Sequence, residues 1–148
     1  MIDVSVDDSH PRGDGTVDVI IASTKGAPTE ALKQSVKDYI DTKRPECSDV
    51  QVLSPVLKTV DLDITLFLFP DRGESEVVKT AAETVIQKFF FYHDDDDAIE
   101  AQKIGDDYLN ARLIRYLMAI QHVFNVRINS PAADVVVARS ELATVGTI

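Results

Sequence analysis

The chain has 148 residues, with 15 Lys plus Arg against 25 Asp plus Glu, and so carries a formal charge of −10. That length suits one modest domain, and 45% hydrophobic with 27% charged residues excludes wholesale disorder and low-complexity fibres. The acidic excess is spread along the chain, 8 basic against 14 acidic side chains in residues 1–74 and 7 against 11 in residues 75–148, which leaves no basic patch for nucleic acid.

The single Cys47 cannot form an internal disulfide and has no second thiol for structural zinc. Apolar runs such as Ile64–Phe69 fall far short of the roughly 20 residues of a membrane helix. Met1–Asp8 lacks the basic start and apolar run of a signal peptide, so cytoplasmic synthesis is expected.

In chain order, Ile2, Val4 and Val6 alternate as a short strand, and Ser9–Gly15 is a dense turn signal. Residues 1–15 therefore read as an N-terminal strand and linker, and residues 16–148 as a single domain. Thr16–Ala22 reads as a strand buried on both faces at its end. Pro28 suits a first helical turn, and Leu32, Val36, Tyr39 and Ile40 make one buried stripe on a helix from Pro28 to about Lys43. Val50 and Val52 mark a short strand running to Ser54-Pro55. Val60–Phe69 alternates without a break and reads as one strand, its Asp61 and Asp63 end in water. A helix from Ser75 to Tyr92 has a wide apolar face, Val78, Ala82, Val85, Ile86 and Phe89 among it.

The run His93-Asp94-Asp95-Asp96-Asp97 forces a loop, because adjacent carboxylates at a helix C-terminus repel one another and oppose the macrodipole. A further helix follows from Asp106 or Asp107 to Gln121. Val123–Ile128, Ala133–Ala138 and Ala143–Ile148 read as strands, the last able to complete its own sheet or to add to a neighbour's. The pattern predicts an α+β fold: a mixed sheet of residues 16–22, 60–69 and 123–128 packed by about three helices, in a ferredoxin-like βαββα(α)β order with an additional C-terminal β-hairpin.

Chemistry-bearing residues are few. His10, His93 and His122 are the general-base candidates near neutral pH, and none is joined by a nucleophile elbow, a zinc-protease pair or a phosphate loop. Glu46 and Asp49 beside Cys47 oppose a reactive thiolate. Asp61 and Asp63 share a strand face, which alternation produces unaided. Asp94, Asp95, Asp96 and Asp97, with Glu100 beyond, are the one cluster of hard-metal ligands and the candidate interaction surface. They lack the alternate spacing and turn glycine of a calcium loop, so a solvated or partner-facing loop is the preferred reading over a metal site. Replacing the four aspartates by serine is expected to leave the thermal midpoint nearly unchanged, in calcium or in chelator, because exposed ion pairs contribute only about 0–1 kcal/mol each. A midpoint lowered by chelator alone in the unsubstituted protein would instead identify a metal site.

Four strings stand in register: Gly15–Ile21 leading to Gly26-Ala27-Pro28; Lys58–Leu66; Ser130–Val135; and Glu141–Ile148. Together they resemble the C-terminal region of the baseplate J-like family, tail proteins of contractile phages and related injection machines, from Gly15 to the end of the chain. Family members are usually longer on the N-terminal side, and the run from His93 to Gln102 departs from them as an acidic embellishment. The resemblance implies a structural component of a phage or prophage-derived contractile tail baseplate, acting through protein contacts in wedge assembly. It implies no enzyme activity, catalytic residue or cofactor. The implied partners are other baseplate and tail proteins, with self-association within the baseplate left open and with no nucleic acid and no membrane insertion. The implied place is the virion tail, reached after assembly in the host cytoplasm. The alternative is a small stand-alone acidic ligand-binding or enzyme domain, motivated by Asp61, Asp63 and the acidic run.

Overall fold

The computed structural model describes residues 3–70, 74–91 and 99–148. In order the elements are β1 (Asp3–Asp7), β2 (Thr16–Ala22), α1 (Glu30–Asp41), β3 (Asp49–Leu53), β4 (Val56–Val60), β5 (Asp63–Leu68), α2 (Ser75–Phe90), α3 (Asn110–Leu117), β6 (Val123–Ser130) and β7 (Glu141–Val145). This is the α+β class that the alternation of periods predicted.

β2 is the centre of a three-stranded sheet, antiparallel to β1 and parallel to β3. β1 pairs with β2 along its whole length, from Asp3 opposite Ala22 to Asp7 opposite Asp18, so this N-terminal stretch is an edge strand of the sheet. Arg12 fastens the turn between them. Its amide donates to Thr16 Oγ1 at 3.1 Å, its Nε to the Asp18 carboxylate at 2.9 Å, and its Nη1 to the Asp49 carboxylate of β3. Gly15 is required here: its φ is +77°, and a Cβ would lie 3.2 Å from the Cys47 carbonyl oxygen.

α1 is the crossover from β2 to β3, capped by Thr29, whose Oγ1 accepts from the Leu32 amide at 3.2 Å. Leu32, Val36 and Ile40 pack on Val19, Ile21 and Val50, as their spacing predicted. Tyr39 does not join them and is 68% exposed, because one helix laid over a narrow sheet buries a thinner stripe than the sequence suggests. On the other face of β2, Ile20 and Ala22 meet Ile104 and Leu142, which ties this sheet to the rest of the chain.

Val60–Phe69 is not one strand. β4 pairs in parallel with β7, and β5 pairs antiparallel with β6, so the ladder changes partner at Asp61–Leu62. Asp61 marks the break by accepting the Thr147 amide on Oδ1 at 2.9 Å. Gly146 lets the two chains cross there, since a Cβ would lie 2.6 Å from Thr59 Cγ2 and overlap the Asp61 carboxylate. Asp61 and Asp63 are exposed, as expected.

Among the described residues, three small sheets thus replace the single expected sheet, and Thr16–Ala22 shares no ladder with Val60–Phe69 or Val123–Ile128. Alternation specifies that a strand exists but not its partner, and β2 takes both partners from its sequence neighbours. The expected C-terminal hairpin is also absent: residues 133–138 contribute one bridge, Val135 to Tyr108, while the terminal strand completes its own sheet beside β4. Side-chain carboxylates take the amides that a hairpin would need, Asp107 that of Val137 at 2.7 Å and Glu141 that of Ala138 at 2.8 Å. The same bridge delays the last helix. Tyr108 is held extended and fully buried, so α3 starts at Asn110, whose amide donates to Asp134 Oδ1 at 2.8 Å.

The main core lies where α2 and α3 meet β4 to β7. Phe89 packs edge-on to Phe90 with ring centres 5.2 Å apart and to Tyr108 at 6.1 Å, and Phe90 stacks on Tyr108 at 5.8 Å.

Candidate protein-contact surface

Asp94, Asp95, Asp96 and Asp97 lie outside the described residues, as does His93. Glu100 is described, and its side chain is 77% exposed beside Arg112 at 3.6 Å. Its backbone is fixed: the Glu100 amide donates to the Tyr116 hydroxyl oxygen at 3.2 Å, and Arg112 Nη2 donates to the Glu100 carbonyl at 3.0 Å. Arg112 also donates to Gln102 Oε1 at 2.9 Å and lies over the Phe89 ring at 5.3 Å. One guanidinium therefore anchors the segment that follows the acidic run. Burial pushes the Tyr116 phenol up, but the Glu100 amide and the two arginines outweigh it, and the hydroxyl sits below the ordinary tyrosine value.

The other candidates are not brought together. His10 and His122 occupy left-handed positions with φ of 60° and 73°, in separate turns. Cys47 is exposed and free. Asp61 holds the Thr147 amide, and Asp63 accepts from Asn129 Nδ2 at 3.2 Å, so both carboxylates have structural partners. Among the described residues, no group of three or more His, Cys, Asp or Glu side chains converges as metal ligands would, and no helix is long and apolar enough to cross a membrane. The lowered Asp7 carboxyl is explained by the Ser9 hydroxyl and amide, and the lowered Asp41 carboxyl by Lys37 and Arg44. The raised Arg12 guanidinium answers to Asp49 and Asp18. These are structural pairings.

What the sequence did not single out is the apolar surface. On β1 the alternation runs outward: Asp3 accepts the Ile104 amide at 2.7 Å, while Val4 and Val6 are 46% and 52% exposed. Phe67 of β5 and Phe69 just beyond it gather with Phe124 of β6 at 6.0 and 5.5 Å, and Phe69 and Phe124 remain about half exposed. The opposite face of β5 borders a groove of about 530 Å³ against α2. Ile64, Leu66 and Leu68 form one wall, and Val78, Ala82 and Ile86 the floor. Exposed half-apolar strands were legible as strands; that their apolar side faces outward depends on which neighbours cover them.

Residues 2–54 match the family model of the baseplate J-like central domain. The matched stretch spans the whole β1–β2–α1–β3 unit, so the pairing of β1 with β2 and the family likeness agree on where this unit begins and ends. The part of the family that is matched is its central domain, at the start of this chain. No curated protein matches the chain. Over residues 2–54, about a third of its length, the chain is similar to the central domain of the baseplate J-like family.

Proposed function

We propose that this chain is a structural subunit of a contractile tail baseplate that acts in wedge assembly through protein contacts alone. The family match over residues 2–54 carries the reading. Its support in the fold is the apolar surface left open: Val4 and Val6 on an edge strand, and Phe124 of β6 with Phe69 at the end of β5. Assembly subunits use such patches against neighbours. The acidic run Asp94–Asp97, with Glu100, serves as a surface for a basic partner.

Antibodies raised against the full chain should label one end of the tail in electron micrographs of particles from the producing strain, and the gene should lie among tail genes. Recovery only in particle-free cell extract, from a gene set among metabolic enzymes, would favour the small acidic ligand-binding or enzyme domain instead.

A further inference from the structure

The groove beside α2 adjoins a strand edge that has no strand partner among the described residues, because β5 pairs with β6 alone. Successive amides of a strand point to opposite edges. The Phe69 amide donates to the His122 carbonyl at 3.0 Å, and both register shifts of the pair leave their extra residue, Phe124 or Asn129, on β6, so the alternation of β5 is unbroken and its odd-numbered amides face β6. The Leu62 amide donates to the Thr147 carbonyl at 2.8 Å, and that of Gly146 to the Val60 carbonyl at 2.9 Å, so the even-numbered groups face the side on which β7 runs. The ladder with β7 ends there, at Leu62. Beyond it, the amides of Ile64, Leu66 and Leu68 continue the same edge, on which the described residues place no strand, and their side chains form the wall of the groove, which Ile148 also lines.

Three features define what fits. The vacant edge offers alternate backbone donors and acceptors in line with an existing parallel ladder, which an extended chain satisfies and a helix does not. The apolar wall and the floor of Val78, Ala82 and Ile86 take side chains at every second position of such a strand. The rim carries Asp63, Glu76 and Glu83 against Lys79, on a chain whose net charge is −10. A second copy brings the same charge and is repelled, whereas a cationic partner is drawn in.

We propose that the free edge of β5 and the groove beside α2 receive an extended strand of a neighbouring tail protein, apolar at alternate positions and flanked by Lys or Arg, which adds to the β5–β6 sheet in line with β7. Only the origin of that strand in a tail protein rests on the baseplate reading.

The probe is a synthetic peptide, Lys-Val-Thr-Val-Thr-Ile-Lys, titrated into the full chain and followed by amide NMR, beside a peptide with Glu replacing both lysines and an amphipathic helical peptide of equal charge. The lysine peptide should shift Ile64, Leu66 and Leu68 and slow their amide exchange, which in the free protein should be faster than that of Thr65 and Phe67. Glu76→Lys with Glu83→Lys, both on the exposed side of α2, should weaken it about tenfold, as should raised salt. Leu66→Asp should abolish it, with the rim pair of substitutions as the informative variant if that protein misfolds. The proposal is overturned if the even-numbered amides of the free protein are already slow, if the helical or glutamate peptide binds equally well, or if the chain self-associates through this edge. It is overturned as well if no peptide binds. A chain that labels tail ends yet ignores the lysine peptide would defeat this inference and leave the baseplate role standing.

Discussion

Phe89→Ala is expected to lower the thermal midpoint by roughly 10 °C, the cost of about 3–5 kcal/mol that such core truncations carry, at a few degrees per kcal/mol for a chain of this size. Phe89 is fully buried, and its ring is shared by Phe90, Tyr108, Tyr116 at 6.0 Å and the Arg112 guanidinium. Removing it leaves a cavity walled by two helices and an extended segment, none of which can close inward alone. The backbone bond from the Gln102 amide to the Phe89 carbonyl, 2.8 Å, survives the substitution, so the loss reports ring packing. Val77→Ala, one turn into the same helix but 62% exposed, is the control and should change stability by less than about 0.5 kcal/mol. Differential scanning calorimetry of the two variants decides the matter. Similar small shifts for both would mean that the aromatic cluster does not hold α2 against the rest of the fold.

The residues that carry this cluster were readable in advance, and their partners were not. Period 3.6 placed Val78, Ala82, Ile86 and Phe89 on one face of α2, because a helix buries a stripe whose spacing is its own geometry. Tyr108 gave no such signal. It lies outside any regular element, and only the bridge to Val135 across the chain makes it core. Strand partners failed for the same reason. Residues 60–69 alternate perfectly, yet Asp61 and Gly146 turn that run into members of two ladders, through a contact 85 residues distant in sequence. The candidate surface divides in the same way. Glu100 could be named from the acidic run beside it, whereas the groove needed both β5 and α2 in place. An open edge is a relation between strands, and no single stretch of sequence records it.

Tyr108 should make the fold selectively fragile at high pH. Its ring is fully buried and its hydroxyl finds no hydrogen-bond partner among the described residues. Burial, with a smaller contribution from the Asp134 carboxylate, pushes the phenol up from 10.0 to about 12. Below pH 10 the phenol is neutral in folded and unfolded chains alike, and the whole stability of the neutral form is present. Between pH 10 and 12 the unfolded chain loses this proton while the folded chain keeps it. The unfolded state then binds fewer protons, and stability falls as pH rises. Two pKa units amount to about 2–3 kcal/mol, all of it lost once the pH passes the folded value. Tyr116, whose phenol is lowered, has the opposite sign and is common to both proteins compared, so it cancels in the difference. Tyr108→Phe removes the titrating group and an unpartnered buried hydroxyl while keeping the ring stacked on Phe90. The variant should be at least as stable as the unsubstituted chain at pH 7, where nothing is lost by deleting a donor without an acceptor. From pH 10 upward its midpoint should fall less steeply, and the gap between the two proteins should widen toward pH 12. Thermal midpoints taken across pH 8 to 12, with absorbance at 295 nm following the phenolates, would read both curves. Parallel curves would show that the buried phenol does not govern alkaline unfolding.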